Sequence, residues 1–121
     1  MNFATQIAPW LAVTGQAVSS IDEDQTGADD LAGSLLTFVA DAGIAVSEGA
    51  DLPELPEILT KGTTEKLSKT ARISLQVVAP VLVLAQFQVK DGKLKKILKY
   101  ASQVLTQLLA GKPITATVPI F

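Results

Sequence analysis

Apolar positions recur along most of the chain at the spacing of helices, and they mark its segments. The clearest run is residues 93–110, KLKKILKYASQVLTQLLA, where Leu94, Ile97, Leu98, Ala101, Val104, Leu105 and Leu108 fall three and four residues apart. That spacing predicts one amphipathic helix. Asp91 is placed to cap its start, and Gly111 followed by Pro113 ends it. Residues 28–46 carry a second stripe, Leu31, Leu35, Phe38, Val39, Ala42 and Val46, with Thr26 as a candidate N-cap and Asp29 and Asp30 in the first turn. Residues 3–18 suit a shorter first helix, with Pro9 in its opening turn and Gly15 weakening its far end.

Residues 64–89 read two ways. Leu67, Ala71, Leu75 and Val78 keep helical spacing, and Thr63 or Thr64 could cap them, yet ISLQV and AQFQV alternate with period two, as in a strand. KDGK at 90–93 would also serve as a hairpin turn. A helix kinked near Pro80 is preferred, because both flanking segments are helical. Between the second and third helical stretches, residues 47–63 hold Pro53 and Pro56 and predict an extended link. The last segment, KPITATVPIF, alternates Ile114, Ala116, Val118 and Ile120 with polar residues or proline. Such an arm has reason to dock on its own domain or on a neighbour, and Ile114, Val118, Ile120 and Phe121 are its candidate contacts. The predicted fold is mainly α: one domain over residues 1–121, a small bundle of three to four helices with an extended C-terminal arm.

Composition narrows what such a fold could do. Of 121 residues none is Cys and none is His. Disulfides, thiolate metal sites, Ser-His-Asp triads and histidine ligands are thereby removed, and no catalytic, metal or cofactor-binding residue is assigned. The chain is read as non-enzymatic. No Lys or Arg occurs in residues 1–20, so no secretory leader is read, and a cytoplasmic location or incorporation into a large assembly is expected.

Charge is divided sharply. Residues 1–60 hold ten acids and no base, whereas residues 61–121 hold all ten bases and two acids, giving −10 and +8 for halves that together sum to −2. Such a split suits pairing within a chain, head-to-tail assembly, or attraction to an anionic surface. Lys93, Lys95, Lys96 and Lys99 form the basic candidate face. Three readings apply to it: an ordinary solvated helix face, a contact with the acidic half of another copy, or a helix lying on anionic lipid. Nucleic acid is not expected, since the chain has one Arg and is acidic overall.

Asp22 and Asp24 are the acidic candidates. The stretch from Asp22 to Gly33 partly fits a calcium loop, but Thr26 and Gly33 stand where Asp or Asn and the bidentate Glu belong. A solvated loop leading into a helix start explains the acids equally. Residues 71–89 are apolar enough to raise a membrane span, although the unbroken apolar run is only Val77–Ala85. Two functions follow as expectations. One is a structural or assembly subunit, such as a virion component, that oligomerises through complementary acidic and basic faces. The other is a membrane-active, holin-like or pore-forming protein using 71–89 and 93–110.

Overall fold

The computed structural model describes residues 3–21, 27–61 and 66–115, which are mainly helical and contain no strand. A π-helical turn, Phe3–Ile7, leads into α1 (Ala8–Ile21). Then come α2 (Gly27–Glu48), the short α3 (Glu57–Lys61), α4 (Lys69–Gln88) and α5 (Gly92–Ala110). The π turn lies directly ahead of Pro9, which has no N–H to donate into a regular ladder.

Residue 64–89 is therefore resolved in favour of helix, with Pro80 inside α4. The cap is Ser68, whose side chain accepts from the Ala71 amide at 3.2 Å, rather than Thr63 or Thr64. Both threonines, like Thr26, lie outside the described residues. At α5 the expected cap holds: Asp91 accepts from the Lys93 and Leu94 amides at 2.9 and 3.0 Å. Gly111 closes that helix at φ 70°, a left-handed conformation that glycine adopts without a Cβ penalty. The proline link is extended over residues 50–56 but then winds into α3, a turn that was not anticipated.

Packing fixes the arrangement of the four long helices. α1 packs chiefly on α2, α2 on α5, α5 on α4, and α4 back on α1. The Ser68 amide donates to Asp29 Oδ1 at 2.9 Å, which sets the starts of α2 and α4 side by side. A cleft at the far end collects the start of α1, the ends of α2 and α4, and the start of α5. α2 and α4 thus run parallel, α1 and α5 run opposite to them, and the link from residue 49 to 68 returns the chain along the length of the molecule. At 1.5 Å per residue, α4 is about 30 Å long.

The core is one cluster drawn from all four long helices, with Leu11, Leu35, Leu36, Leu75, Leu82, Ile97, Leu98 and Leu105 among its fully buried side chains. α1 and α2 approach closest where two glycines meet. A Cβ on Gly33 would stand 2.5 Å from the Gly15 carbonyl oxygen, and one on Gly15 would stand 2.8 Å from the Gly33 carbonyl oxygen. Gly15, expected to weaken its helix, is the crossing point that lets the helix dock.

Candidate functional site

α5 places the lysines as its periodicity requires. Lys93, Lys95, Lys96 and Lys99 are all exposed, while Leu94, Ile97, Leu98, Ala101, Val104, Leu105 and Leu108 are buried on the opposite side. Ile114 is half-buried and packs against the core. Its neighbour Thr115 is held by Gln107, whose Oε1 accepts from the Thr115 amide at 3.0 Å and whose Nε2 donates to the Thr115 hydroxyl at 2.7 Å. The beginning of the arm is therefore docked on the same chain. Asp22, Asp24, Val118, Ile120 and Phe121 lie outside the described residues.

Asp29 departs from expectation. Rather than sitting on a solvated helix start, it is fully buried. The returning chain lays Ser68 across it; Oδ1 accepts the Ser68 amide, and Oδ2 is buried without a hydrogen-bond partner. The carboxylate lies in the first turn of α2, where the helix terminus is positive, and it ties that turn to the cap of α4. Among the described residues no group of three or more Asp or Glu side chains is gathered as a metal site would require.

Two clefts are present among the described residues. The end cleft, of about 560 Å³, has an apolar floor from Phe3, Ile7, Val46, Ala85 and Leu94, with the ring of Phe3 seated over Gly43. Lys90 and Asp91 border it, and Asp91 already caps α5. A second cleft of about 410 Å³, between α1, α2 and the proline link, is lined by Ser19, Ser34, Thr37, Asp41 and Glu54. Thr37 donates its hydroxyl to the Gly33 carbonyl at 3.0 Å, and neighbouring Ser20 donates to Ala17. Neither hydroxyl is aligned with a base that could activate it.

The most unusual surface is one that the lysine pattern did not point to. Every large apolar side chain exposed among the described residues lies on α1 or α4: Trp10, Val13, Ile73, Val77, Val83, Leu84 and Phe87. Exposure runs from 37% for Trp10 to 77% for Phe87. α1 and α4 are neighbours, so these side chains share one wall of the molecule. No charged residue occurs between positions 3 and 21 or between 73 and 89, and the wall is therefore uncharged along nearly its whole height. α4 carries two apolar stripes. Ala71, Leu75, Val78, Leu82 and Ala85 face the core; Ile73, Val77, Pro80, Leu84 and Phe87 face outward with the same four-three-four-three spacing.

The chain matches no known protein family, no curated protein and no solved structure.

Proposed function

We propose that the protein is a non-enzymatic assembly subunit: a four-helix bundle with a docked C-terminal arm that works by associating with copies of itself, as components of virions and other large assemblies do. The observation that carries this reading is the apolar, uncharged wall of α1 and α4. Soluble monomers seldom leave so large a contiguous apolar surface in water, and where they do it marks a contact. Complementary charge supplies a second contact, of different character. The −10 half of one copy faces the +8 half of the next through the exposed lysines of α5, and such a head-to-tail interface repeats until it closes or runs on. The absence of Cys and His supports a binding role over turnover.

Light scattering at low and high salt tests this reading. Species larger than a monomer are expected, with the largest shrinking as salt rises, because exposed charges are screened. A monomer at both salt concentrations refutes it.

A membrane-active role is the second reading, and one observation favours it. α4 has 20 residues and a mean hydropathy of 1.5 over its most apolar window, of which only 28% is buried. α2 also passes by length and hydropathy, but 56% of its window is buried. Flotation with phosphatidylglycerol-containing vesicles tests this role, and recovery of all protein in the lipid-free fraction excludes it.

A further inference from the structure

We propose that α4 is the two-fold seam of a homodimer, in which the outward stripe Ile73, Val77, Pro80, Leu84 and Phe87 packs against the same stripe of a second copy, with Trp10 at its edge. This rests on the self-association reading above and names the surface and the partner.

Spacing is the first argument. The stripe advances by four, three, four and three residues over 73–87, the repeat by which one helix seats side chains between those of another. A surface made only to avoid water needs no such register. Area is the second argument. At their observed exposures the apolar side chains of the wall offer about 700 Å² per copy, allowing about 150–250 Å² for each large side chain. Two copies would bury about 1,400 Å², which lies within the range of stable dimers. Charge is the third. The wall carries none, so two copies meet without like-charge repulsion and without stripping water from an ion.

Polar groups on α4 select protein over lipid as the occupant. Pro80 has no N–H, so the carbonyl of Gln76 one turn earlier lacks its helical donor. The Gln76 side chain is exposed at the same height. Hydrocarbon would leave both unsatisfied near the middle of a span. A protein interface offers them amide donors, acceptors and trapped water. A seam that is self-complementary closes at two copies, so it supplies dimers that the charged faces then link.

Sedimentation equilibrium at high salt, where the charged contacts are screened, isolates this seam. A dimer is expected, and Leu84→Glu is expected to weaken it by ~100-fold or more, as a central contact residue does. Leu84 is 60% exposed, so circular dichroism of the variant should match the parent. Cross-linking provides a second readout, because the chain has no cysteine of its own. Val77→Cys and Leu84→Cys are oxidised separately and mixed. An antiparallel seam gives the mixed disulfide, and a parallel seam gives each variant its own; either supports the proposal.

A high-salt monomer that forms oligomers only at low salt, unaffected by Leu84→Glu, overturns the seam and leaves charge-driven assembly standing. Dimers at every salt concentration that never grow further keep the seam and remove the charged contact. A monomer in buffer that floats with phosphatidylglycerol-containing vesicles, its Trp10 emission shifting to the blue, gives the wall to lipid and overturns the dimer.

Discussion

α4 and α5 form the two arms of one hairpin, with 20 and 19 residues, and each turns a clean stripe of apolar side chains into the same core. Their outer faces have nothing in common. α5 presents Lys93, Lys95, Lys96 and Lys99 to water, while α4 presents Ile73, Val77, Leu84 and Phe87. A helix at the surface of a bundle needs one apolar face to fold. α5 stops there. α4 has a second apolar face that folding does not use, so its composition answers to a contact outside the chain.

Substitutions can break or sharpen this contrast. The largest effects belong to the inner faces, where the two helices should behave alike. Leu82→Ala and Leu98→Ala, both fully buried, are each expected to lower unfolding free energy by about 2–5 kcal/mol in urea titrations. A much smaller loss for Leu82 would mean that α4 is not anchored to the core as α5 is.

Next in size are the caps. Asp91→Ala removes an acceptor for two amides and should cost about 1–2 kcal/mol; Ser68→Ala removes an acceptor for one and should cost about 0.5–1 kcal/mol. Thermal melts of the two variants rank them directly.

A pH effect separates the helices further. Burial raises the Tyr100 phenol on α5 above its ordinary value near 10. The folded state therefore favours the neutral phenol, and this stabilisation is complete below about pH 10 and lost as pH rises through the folded value. Absorbance at alkaline pH should show tyrosine ionising later in folded than in unfolded protein. Tyr100→Phe should flatten the alkaline fall in melting temperature. The smallest effects fall on the outer faces of the isolated chain. Val77→Thr and Lys99→Gln should each change monomer unfolding by about 0.5 kcal/mol or less, although only the first should disturb self-association.

Much of the helical layout was legible in the sequence, and the exceptions have physical causes. α5 could be read in full, from the Asp91 cap to the Gly111 stop, because one face is apolar and the other is not. α4 was ambiguous for the same property that now distinguishes it. Its inner stripe contains Ala71 and Leu75, and its outer stripe contains Ile73 and Val77, so apolar residues stand at every second position and imitate a strand. Two helical periods offset by two residues look like a period of two. α3 was missed because the prolines beside it suggest an extended chain, and a five-residue turn has no periodicity to show. Burial of Asp29 was invisible because it depends on Ser68, which lies 39 residues away. The lysine face could be found because charge clusters in sequence. The wall could not be assigned as exposed, because apolar residues alone do not reveal which of two faces the core will take.

The crossing of α1 and α2 has a consequence for tolerance to mutation. Backbone oxygens stand 2.5 and 2.8 Å from where the missing methyl groups would be, and a carbonyl cannot swing aside as a side chain can. In a saturation library sorted for folded protein, position 33 should retain a single letter of the genetic alphabet and position 15 should be nearly as intolerant. Both would look unremarkable to anyone scanning these uncharged stretches for conspicuous chemistry.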